Sequence, residues 1–190
     1  LFASESERYS GIKNDPNIPE NMIKAVLEYG EPDQIHWYEN QLLKNLRRLY
    51  AGQKWKKLDI HPWLKRKRIR YHGHHETHAR AGFYTSPFER ATVLVVDAIG
   101  EFDTTSIWHA TPKYLSKLWS NKYPKSLGLF YSAITHRVGL KPNEEEYILM
   151  GMAAYGDPYK YYGHMKPLLQ QNLHKGCRSW LPGVQGHQDS

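Results

Sequence analysis

Residues 72–106 read HGHHETHARAGFYTSPFERATVLVVDAIGEFDTTS, and the rest of the 190-residue chain is interpreted outward from them. His74 and His78 are four apart, and the run 74–81 holds neither proline nor glycine, so a helix there sets both imidazoles on one face. Such a pair is a two-ligand clamp for a metal. Ser86-Pro87 ends that helix, and ATVLVVD (91–97) reads as a short, fully buried strand, apolar and rich in β-branched residues. Asp97 then stands at the carboxyl end of the strand, before a tight turn Ala98-Ile99-Gly100, where α/β folds present ligands to a crevice. Glu101, Asp103, Thr104, Thr105 and Ser106 follow, short oxygen-bearing side chains suited to a hydrated cation or a phosphate.

Each of these residues also has a purely structural reading. Eleven histidines leave room for a pair that is only polar surface or a hydrogen-bonded couple, and two ligands alone do not define a metal site. The segment His75-Glu76-Thr77-His78 is one spacer short of H-E-x-x-H, which excludes the zinc-protease arrangement. Asp97 can simply turn the chain after its strand.

The chain is 40% hydrophobic, without a run of 18 apolar residues or a signal peptide, so it reads as a soluble globular chain with one core. Its single cysteine, Cys177, excludes an internal disulfide and suits a reducing cytoplasm. Helical spacing of Met22, Ile23, Val26 and Leu27 predicts a helix over 20–29, stopped by Gly30. Downstream, 104–110 and 114–123 read as antiparallel strands around the turn 111–113. Ser126 opens a helix that Gly139 ends, and a second covers about 144–154, with Glu144, Glu145 and Glu146 in its first turn, where the helix dipole favours acids. A short helix is possible beyond Tyr162, and the tail from Lys175 reads as a disordered end or a truncation.

Charge is concentrated in one place. Between Lys44 and Arg70 stand 11 Lys or Arg residues against one acid, Asp59, while the remaining 15 bases and 18 acids leave the rest slightly negative. Tyr50, Trp55, Trp63 and Tyr71 interleave with these bases, the composition of a groove that neutralises phosphates and stacks on bases. The competing reading is a solvated basic face with its tryptophans in the core.

The blocks HHETHARAGFYTSPFERA (74–91), VVDAIGE (95–101) and Thr104-Thr105 resemble those of the carbamoyltransferases of the nodulation-factor and antibiotic-tailoring type, which show HHxxHAxSAFxxSPFxxA, VVDGxGE and TT. SLGLFYSA (126–133), NEEEYILMGMAAYGD (143–157) and the stretch from Ser4 to Glu20, which is similar to the family's EERFxRxKxD and PE block, continue the resemblance in the same order. It covers roughly residues 1–160. Two departures stand out: Ala98 replaces the loop glycine after Asp97, and NEGEYK has become NEEEYI, losing a glycine and, at Ile148, a lysine.

The resemblance implies an α/β fold of the actin-like ATPase (ASKHA) class, with most of one half present as a mixed sheet with flanking helices over 1–163 and a short helix and tail over 164–190. The chain opens on Leu1 with no strand ahead of Phe2, so it reads as a fragment; the family has a second domain that activates carbamoyl phosphate, and no block of this chain resembles it. The resemblance further implies carbamoyl transfer from carbamoyl phosphate, through an ATP-derived carbamoyl adenylate, to a hydroxyl-bearing acceptor. His74, His78 and Asp97 would hold a divalent metal, iron by analogy; Gly100, Glu101, Thr104 and Thr105 would contact the nucleotide, and Lys13 an anion. No general base is assignable, and His75 and Glu76 are candidates by proximity. With the Lys44–Arg70 segment, the acceptor could be a sugar or a hydroxymethylated base in DNA. Two readings from other classes stay open: a basic nucleic-acid-binding module without catalysis, and a degenerate nucleotide-binding half.

Overall fold

The computed structural model describes residues 4–12, 15, 17–56 and 61–175, in two compact units that part between His72 and Gly73. Lys13, Cys177 and the tail beyond Lys175 lie outside the described residues, as do residues 57–60 of the basic segment.

In the first unit, helix α1 (Glu7–Ser10) is a single turn that ends at Gly11, whose φ of 71° suits a residue without a Cβ. Helix α2 (Glu20–Leu27) starts directly after Pro19 and buries Ile23. Strands β1 (Gln34–Trp37) and β2 (Arg68–Tyr71) pair in parallel, Gln34 opposite Arg68 and Trp37 opposite Tyr71. A parallel pair needs a crossover, which here contains helices α3 (Gln41–Tyr50) and α4 (Pro62–Lys65). Asn40 caps α3 by accepting from the amides of Leu42 and Leu43. His61 caps α4 through Nδ1, which accepts from the Trp63 amide, so its Nε2 carries the hydrogen that meets Glu20 of α2 at 2.6 Å.

The second unit is one antiparallel sheet, β3 (Ala91–Gly100), β4 (Asp103–Ala110) and β5 (Leu115–Lys122), in that spatial order. Helices α5 (His74–Tyr84) and α6 (Leu127–Arg137) pack on β3 and β4. Helices α7 (Glu146–Ala153) and α8 (Tyr162–Lys175) follow, and α6 touches both. Strand β4 alternates without a break, Thr104, Ser106, Trp108 and Ala110 being buried and the residues between them half-buried. Trp108 with Val95 and Ala79 forms the apolar centre, and Val93 and Leu115 pack against it.

This arrangement corrects three sequence expectations. Strand β3 is not fully buried: Leu94 is 63% and Val96 48% exposed, because among the described residues helices cover only one face of the sheet. It does not end at Asp97 but runs to Gly100, with a register shift between Val96 and Gly100. The turn is therefore Glu101-Phe102 rather than 98–100, and the left-handed conformation falls on Glu101 (φ 59°), which leaves Ala98 unstrained. The acids opening α7 serve the fold beyond any dipole effect. Glu146 accepts from the Ser132 hydroxyl and the Asn143 amide, and Glu145 accepts from the Lys141 amide.

Candidate metal centre

Helix α5 begins after the extended Gly73 and turns Ala79 and Phe83 into the core, which leaves His74 and His78 one turn apart at the sheet's edge. Their Nε2 atoms lie 3.0 Å apart. Asp97 Oδ2 lies 2.8 Å from His74 Nε2 and 4.0 Å from His78 Nε2. The three ligand atoms fall within 4.8 Å of one another. Neighbouring ligands of a metal with bonds near 2.1 Å are separated by about 3.0 Å in an octahedron and about 3.4 Å in a tetrahedron. The observed spacings bracket those values, so the residues fit a first-row cation once His78 and Asp97 close slightly. Two imidazoles and one carboxylate are also a donor set that such metals accept readily and that magnesium and calcium do not favour.

The bulge in β3 places the carboxylate. Bulges re-aim a side chain locally, and here the extra chain length lies between Val96 and Gly100, around Asp97. Asp97 Oδ1 accepts from the amide of Ala98 at 2.6 Å, which fixes the carboxylate plane and turns Oδ2 to the histidines. Burial pushes the Asp97 carboxyl up, but the hydrogen bond and charge of His74, with the Ala98 amide, outweigh it and hold the group below its ordinary value. The bulge is clamped from the other side by the start of α6. Ser126 donates to the Ala98 carbonyl at 2.7 Å while accepting from the Leu129 amide, and a Cβ on Gly128 would stand 2.7 Å from the Ala98 Cα. Sequence reasoning saw Ser126 as a helix start and as the head of a resembling block, without a role at the site. The signal was the Ser-Leu-Gly order, a cap followed by a glycine that permits backbone contact.

The remaining candidates separate. His75 is 3% exposed, its Nδ1 2.7 Å from the Ser106 hydroxyl and its Nε2 buried without a partner among the described residues; burial lowers its pKa and outweighs the carboxylates of Asp103 and Asp97, which raise it. Glu76 is held by Arg80 through Nε and Nη2 at 2.9 and 2.7 Å. Gly100 is buried against the histidines: a Cβ there would meet Cδ2 of both His74 and His75 at 2.5 Å. Thr104 is buried and donates to the Lys125 carbonyl, Asp103 pairs with Lys117, and Thr105 lies on the opposite face of β4 beside Val96. Glu101 stands at the hairpin tip. The structure thus brings His74, His78 and Asp97 together, while Gly100 and Thr104 serve the packing beneath them.

Within the first unit, part of the Lys44–Arg70 charge is already engaged. Lys44 pairs with Glu39, and Lys67 pairs with Glu31 and lies over the Trp63 ring. Arg68 and Arg70 of β2 are exposed, as are Tyr50, Trp55 and Tyr71. Among the described residues no helix is long and apolar enough to cross a membrane.

Comparison with known proteins places these features in a sequence context. Residues 36–181 match the family described as Carbamoyltransferase N-terminus. A Synechocystis protein of uncharacterised function is 33% identical over 83% of this chain and 31% of its own length. The nodulation protein NolNO of Sinorhizobium fredii is 28% identical over 83% of this chain and 26% of its own. The nodulation protein NolO of Bradyrhizobium diazoefficiens is 36% identical over 46% of this chain and 16% of its own. The chain therefore spans less than a third of the length of these curated relatives.

Proposed function

The chain belongs to the carbamoyltransferase N-terminal family, and from that premise we propose that it supplies the metal-holding part of an enzyme that transfers a carbamoyl group to an acceptor hydroxyl. The observation that carries this is the convergence of His74 Nε2, His78 Nε2 and Asp97 Oδ2 on one point. A bound metal, iron in our reading, would polarise the carbamoyl carbonyl as a Lewis acid. His74 and His78 would each offer an imidazole lone pair, and the ionised Asp97 would neutralise part of the cation's charge. In the transfer the acceptor oxygen forms a bond to the carbamoyl carbon, the bond from that carbon to its activating phosphate breaks, and the hydroxyl proton passes to a base. Carbamoyl phosphate, activated with ATP as carbamoyl adenylate, is the donor we favour. Glu101 and Thr105 are the residues we place against the nucleotide, over a frame set by Gly100 and Thr104, and Lys13 is the proposed anion contact. The two Arg80 hydrogen bonds to Glu76 Oε1 and the burial of His75 argue for a base drawn from elsewhere. We read the fold as most of one half of an actin-like ATPase, working in the cytoplasm.

The test is metal content by elemental analysis of the purified chain beside the His74→Ala/His78→Ala double variant. About one metal per wild-type chain, with affinity reduced more than about 100-fold in the variant, is the expected result, since even supporting residues change affinity 10- to 100-fold. Equal metal content in both would sink the assignment.

A second reading concerns the acceptor. Exposed Arg68, Arg70, Trp55 and Tyr71 favour a polyanion, and a hydroxymethylated base in DNA would combine a phosphate backbone with a hydroxyl to modify. Binding to such DNA that weakens steeply with salt and survives chelation would favour it; salt-insensitive or absent binding would leave a sugar as the acceptor.

A further inference from the structure

Below the three ligands lies a buried polar chain that the proposed chemistry does not use. The Trp108 indole N–H donates to Ser106 Oγ at 2.7 Å, and the same oxygen lies 2.7 Å from His75 Nδ1. Ser106 is fully buried, and Trp108 and His75 are nearly so. An indole nitrogen only donates, so Ser106 accepts from it and has one hydrogen left to give. Among the described residues His75 Nδ1 is the other hydrogen-bonding partner found for that hydroxyl. The assignment that uses the Ser106 hydrogen makes Nδ1 the acceptor and leaves the His75 hydrogen on Nε2, which is buried and has no partner among the described residues. A ring placed here only to fill space would be better as phenylalanine, which buries no orphaned donor.

We infer that His75 is a positioning residue, tying the first turn of α5 through Ser106 and Trp108 to the sheet so that His74 and His78 meet Asp97. The inference rests on the metal reading above. Ser106 is the cross-strand neighbour of Val95, two residues ahead of Asp97, so the bond joins the residue after one ligand to the strand pair bearing another. Hydrogen bonds are directional where apolar contacts are not, and successive helical residues are about 100° apart. Fixing His75 inward therefore fixes the rotation that faces His74 and His78 to the sheet edge. Gly100 belongs to the same fitting, since its lack of a side chain admits the edges of both rings.

The test compares the wild-type chain with His75→Phe, His75→Asn and Ser106→Ala, titrating cobalt(II) as a spectroscopic probe and recording Tm without metal. Phenylalanine is expected to leave Tm equal or higher yet weaken cobalt binding about 10- to 100-fold, with a changed ligand-field spectrum. Asparagine can present an acceptor near the place of Nδ1 and should recover a large part of the affinity, whereas Ser106→Ala should lose it. Wild-type cobalt affinity and spectrum in His75→Phe would overturn the inference. Absence of cobalt binding in the wild type would instead overturn the metal reading. The positioning role is then decided by imidazole nitrogen NMR, where a His74–Asp97 hydrogen bond unchanged by His75→Phe overturns it and a lost one supports it.

Discussion

Helices α3 and α5 both turn polar side chains inward, one in each unit, and they do so for different ends. In α3 the buried residues are Asn45 and Arg47, while Leu42, Leu46 and Leu49, one continuous apolar stripe, are exposed. Asn45 earns its place by bonding the Lys56 backbone on both sides, its Nδ2 to the carbonyl at 2.9 Å and its Oδ1 to the amide at 3.0 Å, much as a neighbouring strand would. In α5 the inward His75 also bonds a neighbour, but the adjacent His74 and His78 are left at the edge facing a carboxylate. The difference teaches that a buried polar residue marks a hydrogen-bonding obligation, and that chemistry is signalled only when several such residues converge on a point the backbone does not occupy.

The contrast can be tested most severely at Gly100. Gly100→Ala forces a Cβ onto both imidazoles, so it should cost about 1–3 kcal/mol of stability and weaken metal binding about tenfold by displacing His74 from Asp97. Urea unfolding and cobalt titration of the variant check both; unchanged metal affinity would mean that the rings adjust without consequence. In the first unit, Asn45→Ala should cost about 1–2 kcal/mol by stranding the Lys56 backbone groups, with no effect on metal affinity. Hydrogen exchange of the Lys56 amide reads the first part, and a fall in metal affinity would break the comparison.

Acid should separate the units next. His75 binds its proton more weakly when folded, so the unfolded chain takes up more protons and stability falls as the pH drops below the ordinary histidine value of 6.5. The contribution of Asp97, whose carboxyl is lowered, is intact above 3.8 and is lost as the pH falls further, through its folded value. Hydrogen exchange in β3 and β4 at falling pH should show this loss, and His75→Phe should remove its upper part. The smallest effect is expected at the exposed stripe: Leu46→Lys should change stability by no more than about 0.5 kcal/mol, and a larger loss in chemical unfolding would mean that the stripe is covered in solution.

Much of the second unit was legible because its signals are local. Spacing set His74 and His78 on one face, and Ser126 and Gly139 bracket α6 as expected. The two strands after Gly100 also fall where alternation put them, at Asp103–Ala110 and Leu115–Lys122. What the sequence hid was the bulge, since two extra residues in a ladder leave no compositional trace, and with it the true reach of β3. In the first unit α2 falls where the spacing of Met22, Ile23, Val26 and Leu27 put it, but the rest was hard to read. Strands of four residues such as Arg68–Tyr71 are too short for a period to emerge, and the leucines of α3 suggest an inward face that proves to be the outward one. The partnership of His75 with Ser106 and Trp108 joins residues 31 or more apart, beyond anything spacing can reveal.

The hydrogen bond from the Ala98 amide to Asp97 Oδ1 bears on ion choice. With one oxygen committed to the backbone, the carboxylate has a single oxygen to give. Calcium prefers six to eight oxygens and often grips a carboxylate with both, so a monodentate acid beside two imidazoles discriminates against it before size is considered. Under the proposed metal reading, this small kink in one strand would act as a filter that disfavours calcium.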